Sequence, residues 1–235
     1  VPRNKNPEAK LKEWKEKIMP AVFMKGQTFE QLVGVYLRMK YPKDNIVSQP
    51  YMCEVVDENG DIQYSDRADF YIPSENLIVE VKWGHDTFQI NKHYERQQGL
   101  LKKGQKYEGI CMVENHGLPK EFVSFEKIIS KLEAYSSMFS QKEVCELLLE
   151  TVKSLAKSNS AVDLKYLRNV LHSIYKEQDF VKFKSKIEDI TIILNKPGEL
   201  EKYCDEHSIE DPPRAFVGNE DLFDILDEDE LMMAA

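Results

Sequence analysis

The chain has 235 residues, 42% hydrophobic and 31% charged, which are ordinary proportions for a globular protein with room for a sizeable core. No window holds the roughly 18 apolar residues that a membrane helix needs, and the opening Val1-Pro2-Arg3-Asn4 leads into a charged stretch without the apolar centre of a secretory signal. A membrane protein and a secreted one are therefore not expected; an intracellular one is, cytoplasmic or nuclear.

The net charge of -9 argues against a nucleic-acid partner only until its distribution is read. From Pro197 onward there are 13 acids and 2 bases, which leaves 28 acids and 30 bases for the rest of the chain. The body is near neutral, so a locally basic groove is compatible with it. The four cysteines, Cys53, Cys111, Cys145 and Cys204, have neither zinc-site spacing nor the density of a disulfide scaffold, and are expected to be reduced thiols. Val1 in place of an initiator Met suggests a processed chain or a piece of a longer one.

In chain order, residues 8–18 set Leu11, Trp14 and Ile18 at helical spacing among charges, with Pro20 as the stop. A second helix is predicted over 28–41, with Phe29, Leu32, Val33, Tyr36 and Leu37 on one face, Gly26 just before it and Pro42 after it. Strands follow over 46–56, interrupted by Pro50, over 64–72 and over 77–83, with a turn at Glu58-Asn59-Gly60-Asp61, and together they read as a meander. A helix over 89–103 ends near Gly104, an apolar strand over 107–113 comes next, and 122–194 reads as helical throughout, with breaks near Ser136-Ser137 and 157–160. This order predicts an α/β fold with a mixed β-sheet core flanked by helices over 1–120, a helical extension over 121–196 and an acidic, flexible tail over 197–235.

The informative segment runs from Asp66 to Trp83. If Pro73-Ser74-Glu75-Asn76 connects a hairpin, Ile72 faces Leu77, Tyr71 faces Ile78, Phe70 faces Val79 and Asp69 faces Glu80. Lys82 then shares a sheet face with Glu80, while Phe70, Ile72, Leu77, Val79 and Val81 form an apolar face. Two carboxylates directly across a strand pair repel each other by something like 0.2 to 1 kcal/mol, so the arrangement wants a cation. Mg2+, or Mn2+ in its place, suits hard oxygen ligands: two carboxylates, a strand carbonyl such as that of Val81, and a phosphate oxygen. Lys82 beside it would lower the pKa of a bound water or steady the charge growing on phosphorus.

Asp69, ten residues, then Glu80-Val81-Lys82 resembles the signature of the PD-(D/E)XK nuclease superfamily. The stretch Gly26-Gln27-Thr28-Phe29-Glu30 resembles the helix that precedes that signature in Mrr-like and RecB-like members. The resemblance covers about residues 26–114 and implies a restriction-endonuclease-like fold, Asp69 and Glu80 as metal ligands, Glu30 as an accessory ligand or orienting acid, and Lys82 as catalytic base. Ala68 stands where the family commonly has Pro, and Tyr94, Gln97 and Gln98 do not form the Q-x-x-x-Y of RecB-like exonucleases. The expected activity is Mg2+-dependent phosphodiester hydrolysis, with DNA as substrate and an endonucleolytic cut; cleavage of a duplex by one site per chain would favour a homodimer.

Arg67, Lys92, Arg96, Gln97, Lys102 and Lys103 are the candidates for contact with nucleic acid, with Lys106 near them. The bland reading of each is a solvated side chain, and the bland reading of His85 and His93 is an ordinary polar residue. A bare E-x-K is common on solvated strands, so the rival accounts are a salt-bridged surface hairpin, RNA cleavage by the same site, or a non-catalytic module that binds nucleic acid or protein. Residues 163–172 carry a stripe of leucines expected of a packing helix. The tail, with acids alternating with Leu222, Phe223, Ile225 and Leu226, is a candidate surface for a protein partner or for the basic groove.

Overall fold

A computed structural model of the chain describes residues 19–56, 62–84, 87–112, 117–132, 140–158, 160–194, 196 and 199–211. The elements, in order, are α1 (Met19–Lys40), β1 (Val47–Ser48), β2 (Tyr51–Val56), β3 (Ile62–Arg67), β4 (Phe70–Ile72), a 3-10 turn (Pro73–Glu75), β5 (Leu77–Lys82), α2 (Thr87–Leu100), β6 (Lys106–Cys111), β7 (Phe122–Ser124), α3 (Phe125–Ser130), α4 (Gln141–Lys157), α5 (Ala161–Lys176), α6 (Phe180–Leu194) and α7 (Glu199–Glu206). The predicted helix over 8–18, the turn at 58–61, the break at 136–137, His85 and the tail beyond 211 lie outside the described residues.

The fold is α/β. Five strands form a mixed sheet in the order β1-β4-β5-β6-β7, with β1, β4 and β5 antiparallel and β5, β6 and β7 parallel. β2 and β3 make a separate two-stranded hairpin. The predicted meander is thus split: the chain leaves the sheet after β1, builds the β2–β3 arm and comes back as β4. The exit and return are stitched together, since Gln49 N donates to Asp69 O (2.8 Å) and Ala68 N donates to Pro50 O (3.2 Å). The predicted single strand over 64–72 is for that reason two strands, broken at Ala68 and Asp69. Gln49 has a φ of 51°, the left-handed turn that lets the chain swing out of the sheet.

α1 runs longer than its apolar stripe, and both Pro20 and Gly26 lie inside it. Near a helix start a proline loses little, because the first N–H groups have no partner there in any case. From Leu32 to Met39 every face of α1 is buried, because the sheet covers one side and α4 and α5 the other. At Gly34 an added Cβ would come 3.1 Å from both Phe70 and Tyr175, so the small residue is what lets the helix lie this close to the sheet. Arg38 crosses the buried layer and donates to Glu177 O at 2.7 Å.

The helices after the sheet are not a separate body. Val144, Leu148, Leu167, Leu171 and Ile187 belong to one apolar cluster with Phe29, Phe70 and Val79. Two boundaries differ from expectation. Residues 122–124 are a strand rather than helix, too short to show a period, and Ser124 ends the strand while its side chain caps α3. Residues 199–206 are a helix with Tyr203 and Cys204 buried, and Asp211 pairs with Lys165 (2.7 Å) and Asn169 (2.5 Å), so the first part of the expected tail, 199–211, packs on the helices. Cys111, Cys145 and Cys204 are buried free thiols, as expected. Among the described residues no helix is long and apolar enough to cross a membrane.

Candidate active site

β4 and β5 pair in the register counted from the sequence: Phe70 with Val79, Tyr71 with Ile78 and Ile72 with Leu77 across the Pro73–Glu75 turn. Asn76, at φ 49° and ψ 45°, closes that turn in the left-handed conformation that Asn tolerates. The five residues expected to be apolar and inward-facing, Phe70, Ile72, Leu77, Val79 and Val81, are all in the core.

Continued one step further, the same register would put Asp69 opposite Glu80 and Ala68 opposite Val81, but β4 ends at Phe70. The chain has turned away by then, since Ala68 N is bonded to Pro50 O. The vacated position on β5 is taken by a side chain: Asp69 Oδ2 accepts from Val81 N at 2.6 Å. Along a strand the N–H and C=O of one residue point to the same edge, so the Val81 carbonyl faces this gap as well. The break between β3 and β4 is therefore what opens the edge of β5 at the carboxylates.

Four charged groups meet there. Glu80 is 2% exposed and fully partnered: Oε1 receives the Lys82 ammonium and lies 3.4 Å from His93 Nδ1, and Oε2 accepts from Gln97 Nε2 at 3.2 Å. Glu30, from the middle of α1, is pushed up to about 7 by burial and by the charge of Glu80, against a hydrogen bond from Gln49 and the positive charges of Lys82 and Arg168. Burial and the charges of Glu80 and Glu30 raise Asp69 as well. Burial works to discharge Lys82, but Glu80, Asp69 and Glu30 outweigh it and hold the ammonium charged. The four residues singled out from the sequence thus form one electrostatic unit.

A second layer was not foreseen. His93 lies between two carboxylates, with Nε2 3.6 Å from Asp66 Oδ1, while Arg96 Nε donates to Asp66 Oδ2 at 2.6 Å. Burial would raise Asp66, but hydrogen bonds from His93 and Arg96 hold it at about 2. Gln97, expected to meet nucleic acid, is instead fully buried: Nε2 donates to Glu80 and to Arg67 O (3.2 Å), and Oε1 accepts from Tyr107 OH at 2.9 Å. Its amide is used up in holding Glu80 in place. Of the other nucleic-acid candidates, Lys92, Arg96, Lys102 and Lys103 are exposed, and Arg67 stacks on Tyr51, 4.0 Å from the ring centroid. The signal for His93 and Gln97 was their spacing, i and i+4 on one face of a helix that follows the E-x-K strand. Gln49 and Arg168 had no local signal at all.

Opposite Glu80 on the same sheet face stand Gly109 of β6 and then Phe122 of β7. A Cβ at Gly109 would fall 2.4 Å from the Phe122 ring, so the glycine lets that ring fold over the strand beside Tyr94 and Tyr107. This aromatic wall keeps water from the inner side of Glu80 and Gln97.

Among the described residues, no group of three or more His, Cys, Asp or Glu side chains is placed so that it could hold a metal ion. What the site offers is oxygen: the carboxylates of Glu30 and Asp69, both raised by burial and by the charge of Glu80, the Glu80 carboxylate itself, and a strand carbonyl on the same edge. No protein-family model matches the chain, and no curated protein or solved structure matches it either.

Proposed function

We propose that the protein is a metal-dependent nuclease of PD-(D/E)XK type that hydrolyses phosphodiester bonds in DNA as an endonuclease. The observation that carries this reading is the meeting of Asp69 and Glu80 where β4 departs from β5, with Lys82 and Glu30 drawn into the same charge cluster. A salt-bridged surface hairpin would leave these groups in water; here Glu80 is buried at 2% exposure and Lys82 retains 27% of its side-chain surface. Holding three carboxylates this close, one of them buried and two half-buried, is costly without a function.

In this reading Asp69, Glu80 and the Val81 carbonyl hold Mg2+ or Mn2+, and Glu30 completes or orients the set. When bound, the cation supplies charge neutralisation at the phosphate and lowers the pKa of water. Lys82, kept cationic by its neighbours, steadies the negative charge on the phosphate oxygens, which differs from the base role that the family resemblance implies. Glu30, raised by burial and by the charge of Glu80, would serve beside the cation as the accessory ligand or orienting acid of the set. His93 and Gln97 fix the Glu80 carboxylate between them, and Asp66 fixes His93.

The test is incubation of the purified chain with plasmid, single-stranded DNA and RNA in Mg2+ or Mn2+, beside Asp69→Ala and Lys82→Ala. Cleavage in the parent falls by about 100-fold or more in both variants, the usual scale for removing one transition-state group. Equal cleavage by all three proteins, or none by any, overturns the proposal, and preference for RNA reassigns the substrate.

A further inference from the structure

Beside the carboxylates, on the same face of the sheet, lies a cleft of about 150 Å3 between the end of α2 and the base of the β2–β3 arm. What it could hold depends on the nuclease reading for its relevance but not for its chemistry. Tyr51, Tyr71 and Ile78 form its walls, and Asn76, Gln105 and Lys102 supply polar groups. Tyr71 and Ile78 are the register pair next but one to Asp69 and Glu80, so the cleft lies about 7 Å along the strands from the carboxylates. That is the order of one step along an extended nucleic-acid strand.

The cleft is preorganised. Tyr51 is half exposed, and the Arg67 guanidinium stacked on one face of its ring sets the ring's orientation before anything binds and leaves the other face for a ligand. Tyr71 OH donates to Asn76 Oδ1 (3.2 Å), and Asn76 Nδ2 donates to Gly104 O (3.0 Å), which fixes the second aromatic wall. A volume of 150 Å3 falls short of the roughly 300 Å3 at which pockets for drug-sized ligands begin, and it excludes a base pair. Flat aromatic walls, amides at the edge and an exposed lysine at the mouth are the chemistry that takes one planar, hydrogen-bonding ring joined to a phosphate.

We propose that this cleft binds a single unpaired nucleobase of the strand being cut, stacked on Tyr51, which makes single-stranded or locally unpaired nucleic acid the substrate. The whole chain is titrated into a labelled single strand, the matching duplex, and an abasic strand with the same phosphates, with Ca2+ in place of Mg2+ and anisotropy as the readout. Tyr51→Ala weakens binding of the base-bearing strand about tenfold or more, Tyr51→Phe leaves it within about twofold, and the abasic strand is insensitive to both. Equal affinity for Tyr51→Ala and the parent, or the same loss on the abasic strand, overturns the cleft. Because Tyr51→Phe keeps the ring, its retention of affinity separates stacking from any loss of fold. Cleavage in Mg2+ is scored separately. Tyr51-dependent binding without cleavage leaves the cleft standing and removes the nuclease reading, while cleavage that needs Lys82 but ignores Tyr51 does the reverse.

Discussion

The two faces of β5 are both buried, yet they are stabilised in opposite ways. Leu77, Val79 and Val81 go into the cluster shared with α1 and the later helices, where stability comes from apolar area and close packing. On the other face Ile78 is buried at 3% exposure, and Glu80 and Lys82 are held by named partners: His93, Gln97 and each other. An apolar face tolerates any neighbour of the right shape, whereas a buried carboxylate needs its own donors, and each donor must in turn be held. That is why one face can be read from a pattern of residue types and the other requires a chain of contacts from Tyr107 through Gln97 to Glu80.

The sharpest way to isolate the packed face is Phe70→Ala. Phe70 is 1% exposed and meets Tyr175 edge to face at 5.8 Å, so its loss costs about 3 to 5 kcal/mol in chemical denaturation. A cost below about 1 kcal/mol would mean that the two faces are not distinct in kind.

The charged face is isolated by pH. Glu30 and Asp69 both hold protons more tightly in the folded chain than in the unfolded one. Such a group contributes its stability in full below its ordinary value, 4.5 for Glu30, and loses it as pH rises through about 7. Asp66, held at about 2, works in the opposite sense only as pH falls below its ordinary 3.8, outside this window, whereas His172, lowered to about 4 by burial and by Lys176 and Arg168, gains stability up to its ordinary 6.5 and offsets part of the loss from the two carboxyls. In EDTA the melting temperature therefore falls between pH 5 and pH 8, and Mg2+ or Mn2+ at pH 8 restores it. A melting temperature that climbs across this range, or that ignores both ions, would break the contrast between the faces.

The smallest effect sharpens it. Tyr107→Phe removes only the hydroxyl that fixes the Gln97 amide, and costs about 1 kcal/mol, or about 2 to 4 °C in melting temperature. If the donor chain matters to the site, cleavage drops severalfold at a temperature where both proteins are fully folded; an unchanged rate would make Gln97 a purely packing residue.

How much of this was legible in the sequence follows the same division. The hairpin register could be counted from Pro73 to Asn76 because strand pairing is strictly periodic, and it holds for Ile72–Leu77, Tyr71–Ile78 and Phe70–Val79 and for the core side of β5, ending one residue short of Asp69. The helical stripe gave Phe29 to Leu37 and, with it, the placement of Glu30 against the sheet. The break at Ala68 was invisible, since nothing local marks two strands that separate because Pro50 O and Gln49 N recruit the backbone. His93 lies 27 positions from Asp66 and 13 from Glu80, Gln97 lies 17 from Glu80, and these groups meet only when α2 lies down on the sheet. Arg168 reaches the charge field of Glu30 from α5, whose Leu164 O accepts from Thr28 on α1 at 3.1 Å; no spacing rule predicts such a meeting.

The sheet is bordered by very short strands: Val47–Ser48 on one margin and Phe122–Ser124 on the other. Margins of two and three residues offer an incoming chain almost no ladder of free amides and carbonyls on which to polymerise. The five-stranded layer is thereby protected at both rims from edge-to-edge growth into a fibril.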